Sequence, residues 1–542
     1  MKKAAAAASA WPRHLHLIGP EPAGKTAPPT PEAVGSKAYH LWRMAQMGLP
    51  VPAALVLGTH YTRDPAASLP PLLGSGLPAL EAACALKLGD PRAPLLVAVR
   101  SGAPVSMPGM METLLNVGLC EATLPGLLRL SGNPRMVWDA YRRLIASYAQ
   151  LVAGLPAPLF EAELQRATLG GDERELDYQG LRALCRSYLA LYQTHAGKAF
   201  PQDPHEQLAA AVQAVYGSWF APKAKSYRKL HGIDEQLGTA VIVQRMVFGN
   251  SGSHSGAGVG FTRDPSSGEP TLWVDFLANA QGEDVVSGQR NAHGHASLAQ
   301  TLPQAWEALQ NAARTLEQSF SDMQDFEFTV QDGHLHLLQT RSGKRTPRAA
   351  VRIALDLHEA GLIDRQTARE RTAHLKPKDL VLQQLAPRSG ADAADGGQPL
   401  ELARASSACS GIASGEIALD PERAIERARA GVPVLLVRAD AQTDDIEALQ
   451  RVQGLLTQRG ARTAHAAVVA RQLGKVCLVG CADLRIDAQR QTVAFGPHEY
   501  TVGQALTLDG NQGIVYAGAL AVVDVPDLHL QRRLQALRDN PS

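Results

Sequence analysis

The sequence predicts a multidomain protein in which an α+β region is followed by a smaller α/β domain. Its 542 residues suffice for about three or four structural units at roughly 150 residues each. Hydrophobic residues make up 45% and charged residues 19% of the chain, as in ordinary globular proteins. Residues 387–398 are rich in small polar residues and lack hydrophobic periodicity, so they predict a linker between the two parts.

The region up to about residue 345 mixes helix-patterned segments with apolar, strand-like runs. Buried strands are predicted at 95–99, 239–248 and 272–277, and a hairpin is predicted around Gly333. After it, residues 349–375 carry apolar side chains at helical spacing with a break at Gly361. This pattern predicts a helical bridge or hairpin before the linker.

Beyond the linker, short apolar runs at 432–437 and 476–479 are separated by segments long enough for helices. That alternation is typical of an α/β layer domain. Leucines at one-face spacing between residues 527 and 538 predict a final helix. We therefore expect four segments, at 1–345, 346–398, 399–525 and 526–542.

Composition excludes several classes of protein. Lys plus Arg is 53 and Asp plus Glu is 52, which gives a formal charge of +1 and no basic footprint for nucleic acid. The chain contains no run of eighteen apolar residues, so no membrane-spanning helix is predicted. The six cysteines have no metal-ligand spacing, so buried free thiols are expected. The alanine-rich start is too short and weak for a signal peptide, and a cytoplasmic location is expected.

Two basic residues are candidates for phosphate contacts. Arg100 ends an apolar strand that turns through Ser101-Gly102, and its five donors suit phosphate oxygens. From this segment alone, a surface salt bridge is the better interpretation. Lys37 follows Gly35-Ser36 near a predicted helix start, a place that suits an anion, although so short a segment equally fits an ordinary helix start.

A glycine- and serine-rich segment lies at residues 249–258. Such a segment lets backbone N–H groups converge on a phosphate chain. A long hairpin loop explains the composition equally well. His254 within this segment is expected to be exposed to solvent rather than to act as a ligand.

The hairpin predicted at 325–330 and 334–341 carries an alternation of charged and apolar residues. Because strand side chains alternate between faces, Asp325 and Glu327 share one face. If the turn is centred on Gly333, Glu327 lies opposite Gln339 and Asp325 lies opposite Arg341. This oxygen-rich set suits Mg²⁺ and nucleotide phosphates.

Two alternatives to this metal site remain open. A two-residue Asp332-Gly333 loop would instead place Gln339 opposite Phe326, so the chemical interpretation predicts a turn with an odd number of residues. Most hairpins of this kind carry only a solvated charged face.

The segment 455–474 reads as a strand, a glycine turn and a helix that is capped near Thr463 and ended by Gly474. His465 would then lie in the first helical turn, where the helix dipole favours an anion. Small neighbouring residues leave its imidazole accessible. These conditions suit a histidine that accepts a phosphoryl group, although a histidine at a helix start is usually a cap or packing residue.

Six longer segments occur in order along the chain. They are Val-Arg-Ser-Gly-Ala-Pro-Val-Ser-Met-Pro-Gly-Met-Met-Glu-Thr (99–113), Gln-Arg-Met-Val-Phe-Gly-Asn (244–250), Phe-Thr-Arg-Asp-Pro (261–265), Asn-Ala-Gln-Gly-Glu-Asp-Val-Val (279–286), Gln-Thr-Arg-Ser-Gly-Lys-Arg-Thr (339–346) and Thr-Ala-His-Ala-Ala-Val-Val-Ala-Arg (463–471). Together these segments resemble the pyruvate, phosphate dikinase family, and the resemblance runs from about residue 12 to 525.

The resemblance implies an ATP-grasp nucleotide-binding region, followed by a swivelling phosphohistidine domain that is mobile in enzymes using phosphoenolpyruvate. It implies that ATP and phosphate are substrates and that Mg²⁺ is the cofactor. The resemblance also implies roles for particular residues. The residues that contact the nucleotide would be Lys37, Arg100, Asp284, Asp325, Glu327 and Gln339, with Arg341 beside them. Glu327 and Gln339 would ligate Mg²⁺, phosphoryl transfer would involve His465, Arg100 and Arg341, and Thr463 would be a site of regulation.

Some segments depart from the family pattern. The usual Gly-Gly-Met-Thr-Ser-His is here Gly460-Ala461-Arg462-Thr463-Ala464-His465, which puts regulation through Thr463 in doubt and makes the loop before the carrier histidine bulkier. The family continues into a phosphoenolpyruvate/pyruvate-binding barrel that these residues do not supply. We therefore expect a separate barrel protein as partner.

The predicted activity is phosphorylation of His465 from ATP and phosphate with release of AMP and pyrophosphate, followed by transfer to pyruvate or another acceptor. Two alternatives remain open: a phosphotransferase for a non-pyruvate acceptor, and a non-catalytic regulatory protein that responds to nucleotide. A homo-oligomer is also left open.

Overall fold

The computed structural model describes residues 11–19, 28–105, 107, 110–286, 293–386, 399–440, 445–462 and 465–539, without the side chains of Val286, His293, His465 and Gln472. The chain divides into two compact units, residues 1–252 with 336–340 and residues 253–335 with 341–542. Both contain helices and strands, which confirms the predicted α+β and α/β multidomain class. The predicted linker at 387–398 and Thr463 lie outside the described residues.

The first unit contains a five-stranded antiparallel sheet. Its strands are β1 (Leu15–Ile18), β2 (Ala54–Leu57), β5 (Val97–Gly102), β6 (Thr113–Val117) and β7 (Ala240–Arg245), and the short strands β3 (Lys87–Leu88) and β4 (Pro94–Leu95) pair separately. The strand order is β1-β2-β7-β5-β6. The strand predicted at 95–99 is displaced toward the C-terminus, since Leu95 pairs in β4 and β5 continues through Arg100.

Helices complete this unit: α1 (Pro31–Gln46), α2 (Leu69–Pro71), α3 (Leu77–Cys84), α4 (Leu124–Ser131), α5 (Pro134–Leu151), α6 (Ala157–Thr168), α7 (Tyr178–Ala196), α8 (Pro204–Gly217) and α9 (Pro222–His231). Helices α5 and α7 pack together through an aromatic group in which Phe200 makes edge-to-face contacts with Tyr141, Tyr148 and Tyr192. Such contacts stabilise the packing beyond the burial of area alone.

The second unit begins with another five-stranded sheet. Its strands are β8 (Gly256–Phe261), β9 (Trp273–Ala278), β10 (His293–Gly294), β11 (Gln324–Gln331) and β12 (His334–Ser342), in the order β10-β9-β8-β11-β12. Helices α10 (Gly282–Val286), α11 (His295–Thr301) and α12 (Pro303–Phe320) accompany it; α11 contacts β9, and α12 contacts β11.

The glycines of β8 make room for aromatic rings. A Cβ added to Gly256, Gly258 or Gly260 would lie 2.2, 2.4 or 2.5 Å from the nearest ring atom of a phenylalanine on a neighbouring strand. The glycine-rich segment predicted at 249–258 is therefore partly strand. It is not a hairpin loop, because β7 and β8 belong to different sheets.

The turn between β11 and β12 differs from the odd-numbered turn predicted. Only Asp332 and Gly333 separate the strands, and their φ angles of 50° and 81° fit a two-residue type I′ turn. The predicted Asp325–Arg341 pair nevertheless forms. For Asp325 to pair with Arg341 after a two-residue turn, β12 must contain one extra residue between the turn and Arg341. The burial of β12 side chains agrees with such an irregularity, because the next buried residue after Leu337 is Thr340, three positions later instead of two.

The helical bridge predicted before the linker consists of α13 (Pro347–Glu359) and α14 (Arg365–Thr372), separated at Gly361. The C-terminal helix (Leu528–Asp539) packs its leucines into the same apolar core as α13. Strand β13 (Val381–Leu385) pairs antiparallel with β25 (Val522–Pro526), from Val381 opposite Pro526 to Leu385 opposite Val522. We call this pair the ribbon.

Between the two ribbon strands lies the α/β domain. Its eight-stranded mixed sheet contains β14 (Glu401–Arg404), β15 (Ser406–Cys409), β16 (Ile412–Ala418), β17 (Val434–Arg438), β18 (Gly454–Thr457), β19 (Val476–Val479), β23 (Ala505–Asp509) and β24 (Ile514–Ala517). Strands β16 to β19 are parallel. A second sheet contains β20 (Leu484–Asp487), β21 (Thr492–Phe495) and β22 (His498–Thr501), and the remaining helices are α15 (Pro421–Arg429), α16 (Ile446–Leu449), α17 (His465–Gln472) and α18 (Leu528–Asp539).

All six cysteines are buried and free, as predicted. Among the helices that the structure describes, none combines the length and apolar character needed to cross a membrane.

Candidate functional site

The Gly-Ser-Lys segment packs against the end of β5. Gly35 interrupts α1 with a φ of 76°, and a Cβ at this position would lie 1.8 Å from the carbonyl oxygen of Gly102. The backbone N–H and the hydroxyl of Ser36 each donate to Ala103 O at 3.1 Å. Lys37 is therefore held next to the strand end that carries the predicted arginine.

Arg100 is half-buried in β5 and donates from Nη1 to Gln244 Oε1 at 3.1 Å and to Leu338 O at 3.2 Å. Both of these acceptors are neutral groups. Gln339 follows Leu338 directly. Arg100 thus contacts the backbone of β12 next to Gln339, and Lys37 lies near the end of the strand that carries Arg100. Sequence reasoning had not singled out Gln244.

Asp325 is buried and forms an ion pair with half-buried Arg341, whose Nε donates to Asp325 Oδ2 at 2.9 Å. Asp325 is 4% exposed. Burial raises the pKa of Asp325, and the adjacent Arg341 opposes that shift. The pairing of these two residues follows the sequence prediction, although the turn does not.

Strand register defines a polar face of the second sheet. Val259 lies opposite Asp275 on one side and opposite Glu327 on the other, and in the next row Phe261 lies between Trp273 and Asp325. Residues directly opposite each other point to the same side of a sheet. We call this side, with Trp273, Asp275, Asp325 and Glu327, the acidic face.

Asp284 makes a local contact. Its Oδ2 accepts a hydrogen bond from Gln281 N at 3.0 Å, at the start of α10. This contact stabilises the turn before α10, and a role in orienting nucleotide or metal remains a prediction.

Helix α17 begins at His465, which agrees with the predicted place of this histidine in the first helical turn. Its role as phosphoryl carrier remains a prediction. Three positions earlier, Arg462 Nε donates to Asp275 Oδ1 at 2.8 Å, and Arg462 Nη2 donates to Val274 O at 2.9 Å. The guanidinium carbon of Arg462 lies 3.8 Å from the ring centroid of Trp273. Burial raises the pKa of Asp275, and Arg462 opposes the shift.

Arg471 continues this contact from α17. It is 1% exposed, and its guanidinium carbon lies 5.3 Å from the Phe261 ring centroid and 5.4 Å from that of Trp273. Its Nη2 donates to Arg462 O at 3.2 Å. Sequence reasoning did not predict the role of Asp275, but an aspartate inside the apolar run 272–277 was a usable signal.

No group of three or more His, Cys, Asp and Glu side chains placed to hold a metal ion occurs among the residues that the structure describes. A magnesium ion bound with a nucleotide needs fewer protein ligands, since phosphate oxygens and water complete its coordination. Glu327 on β11 and Gln339 on β12 are oxygen donors of the suitable kind, and both are half-buried. The chemistry of each side chain suits Mg²⁺, and ligation of the ion by these two residues remains a prediction.

Along the chain, two five-stranded sheets with their helices are followed by a mixed α/β domain in which a helix starts at His465. The family described as pyruvate phosphate dikinase, AMP/ATP-binding domain, matches residues 65–302 and 295–361, and the chain belongs to this family. The family described as PEP-utilising enzyme, mobile domain, matches residues 431–513.

Individual relatives agree with this membership. The chain is 38% identical over 496 residues to a pyruvate, phosphate dikinase of Clostridium symbiosum, covering 90% of this chain and 56% of the relative. It is 40% identical over 497 residues to pyruvate, phosphate dikinase 2 of Zea mays, with the same two coverages of 90% and 56%. It is 38% identical over 508 residues to the enzyme of Giardia intestinalis, covering 91% and 56%. The chain thus spans little more than half the length of these relatives.

Proposed function

We propose that this chain uses ATP and phosphate to phosphorylate His465 and releases AMP and pyrophosphate. In this reaction the β-phosphoryl group of ATP remains on the imidazole, and the γ-phosphoryl group leaves with phosphate as pyrophosphate. The observation that carries the proposal is the contact of Arg462, three residues before His465, with the face that presents Asp325 and Glu327.

The proposal gives a role to each residue that was predicted to bind nucleotide or metal or to act in catalysis. Lys37 and Arg100 bind nucleotide phosphates, and their support is the packing of Gly35 on Gly102, which brings both to the end of β5. Arg341 is oriented by Asp325 and stabilises charge on the transferring group. Phosphoryl transfer depends mainly on such positioning and charge neutralisation.

Glu327 and Gln339 would hold Mg²⁺ in this proposal. When bound, the ion neutralises phosphate charge and orients the phosphate chain. Asp284 adds a carboxylate at the start of α10, where it already accepts a hydrogen bond from Gln281 N.

The second step is proposed as transfer from His465 to pyruvate at a phosphoenolpyruvate/pyruvate-binding barrel of the kind that the family contains. The names of the relatives support pyruvate as acceptor. The ribbon of β13 and β25 connects the α/β domain to the helical bridge and would carry its movement between the two sites.

Labelling tests the first step. The protein is incubated with β-³²P-ATP, Mg²⁺ and phosphate, and we expect an acid-labile, base-stable label that is lost in His465→Ala. His498→Ala is the matched control, because His498 lies exposed on β22 of the same domain and should label normally. Equal labelling of His465→Ala would contradict the proposal, and the absence of AMP formation by the wild type would favour a non-catalytic regulatory protein.

A second incubation tests the acceptor. Labelled protein is separated from nucleotide and offered pyruvate, alone or with a barrel protein from a relative. Labelled phosphoenolpyruvate supports the proposed acceptor. Retention of the label with pyruvate and its loss to a different acceptor would favour a phosphotransferase for a non-pyruvate substrate.

A further inference from the structure

The α/β domain contacts the acidic face through two arginines with distinct surroundings. Arg462 reaches Asp275 and Trp273, whereas Arg471 lies over Trp273 and Phe261. All these residues belong to the second compact unit. The contact therefore spans two adjacent rows of the same sheet face.

The position of the contact relates it to the proposed chemistry. Asp275 and Glu327 are separated only by Val259, which places them two strand spacings apart, or about 10 Å. In the neighbouring row, Trp273 and Asp325 have the same relation across Phe261. Arg462 thus binds beside the predicted nucleotide and metal residues.

We infer that Arg462 is a positioning residue, which docks the segment before His465 onto the acidic face through Asp275 and Trp273. This inference rests on the proposed function and deepens it by naming what holds the carrier histidine near the nucleotide site. Arg462 stands where the family motif quoted above has methionine.

Because Asp275 is buried, its contact with Arg462 depends on the opposite charges of the two side chains. Asp275 is 1% exposed, and its Oδ2 has no hydrogen-bond partner among the described residues. Removing one member of a buried ion pair is strongly unfavourable, because the other charge remains buried and uncompensated. Without Arg462, the docked arrangement would carry this cost, whereas an undocked arrangement would expose Asp275 to water.

Arg471 supports Arg462 through the backbone. Its Nη2 donates to Arg462 O at 3.2 Å and its Nε donates to Ala408 O at 2.9 Å, so it ties the Arg462 segment to β15. These hydrogen bonds hold the backbone of Arg462 in place. The charge of Arg462 then stabilises the docked arrangement relative to the undocked one.

The test uses the full chain and begins with a measurement that needs no catalysis. Hydroxyl-radical footprinting reports the accessibility of Trp273 and Phe261, with Trp219, 1% exposed in the first unit, as internal reference. Arg462→Met should raise modification of both reporters severalfold. Arg459→Met is the matched control, since Arg459 is three residues away and pairs with Asp440 within the α/β domain; it should behave as wild type.

The second measurement is the single-turnover rate of His465 labelling from β-³²P-ATP at saturating nucleotide. Arg462→Met should label about tenfold more slowly, because the docked population falls when a buried charge is left unpaired. The apparent affinity for ATP should stay unchanged. Arg462→Lys, which keeps the charge but loses the planar fork, should give an intermediate rate.

The double variant Arg462→Met/Asp275→Asn separates docking from simple damage. Because the neutral amide of an asparagine leaves no buried charge at this position, footprint and labelling rate should return to within about threefold of wild type. A single Arg462→Met variant that matches wild type in both measurements, or a double variant that stays as slow as the single one, overturns the inference. If wild type fails to label, the proposed function fails, and footprinting still decides whether Arg462 docks the domain.

Discussion

The Cβ position of Gly35 lies 1.8 Å from the carbonyl oxygen of Gly102, so two glycines join the segments that carry Lys37 and Arg100. The φ of 76° at Gly35 is also in the left-handed region that favours glycine. No larger residue fits this contact without moving one of the two segments. The relative positions of Lys37 and Arg100, the two residues predicted to bind phosphate, therefore depend on Gly35, which has no predicted phosphate contact.

Gly35→Ala should move Lys37 away from β5 and slow the labelling of His465 by about a hundredfold, as expected for misplacement by about 1 Å. Labelling with β-³²P-ATP measures this effect, and thermal unfolding checks that the variant folds. Gly74→Ala is the control, because a Cβ there meets nothing within 4 Å. A normal labelling rate in folded Gly35→Ala would refute the role given to this contact.

Gly258→Ala should destabilise the second unit by about 2 kcal/mol, since the added methyl would overpack against the ring of Phe328, 2.4 Å away. Urea denaturation monitored by fluorescence measures the change in the free energy of unfolding. Gly282→Ala, where a Cβ meets nothing within 4 Å, should have little effect. Adding Phe328→Leu to Gly258→Ala should recover part of the lost stability, and a failure to recover any would argue against ring packing as the cause.

Asp139→Asn should destabilise the first unit by about 3 kcal/mol at pH 7, because it breaks a buried network with Arg142 and Arg143. Burial alone would raise the pKa of Asp139, but the two arginines more than offset it and lower that pKa. The stability that this carboxylate contributes is therefore present above the ordinary carboxyl pKa, and it is lost as the pH falls through the lowered value.

Denaturation of wild type and Asp139→Asn at several pH values tests this sign. The difference in the free energy of unfolding should be largest at neutral pH and shrink in acid. Asp172→Asn removes an exposed pair with Arg174 and should cost less than about 1 kcal/mol. A difference for Asp139→Asn that grows on acidification would show that the arginines do not stabilise its charged form.

Cys409 and Cys481 should resist alkylation by iodoacetamide at pH 8 in the folded protein. Burial raises the pKa of each thiol to about 11, so about one thiol in a thousand is a thiolate at that pH. Mass spectrometry of digested protein measures the labelling of each cysteine. All six should react after unfolding in guanidinium, and rapid labelling of Cys409 in the native state would contradict its buried environment.

Local sequence pattern predicted the helices and strands better than it predicted which of their residues contact one another. The run 476–479 is β19 as predicted, and the break at Gly361 does separate two helices of the bridge. These predictions succeed because periodicity and glycine act within a few residues. Alternation also placed Asp325 and Glu327 on one face of the sheet, and the register of β11 against β8 agrees with this.

The errors arose where the outcome depends on distant residues. The turn at Asp332-Gly333 has two residues, and an irregularity in β12 restores the predicted ion pair, which alternation alone cannot show. The glycines of β8 suggested a phosphate loop because the phenylalanines they accommodate lie on other strands. Asp275 and Gln244 were missed since their partners Arg462 and Arg100 are far away in sequence.

The pairing of β13 with β25 makes the α/β domain an insertion in the topological sense. Chain that precedes the domain and chain that follows it meet again in the ribbon, and the leucines of α18 share an apolar core with α13. The ribbon ends where Leu385 faces Val522, so a short turn could close it there. Removal of the intervening residues should leave a hairpin-capped helical body, and the excised segment could be produced as an independent module.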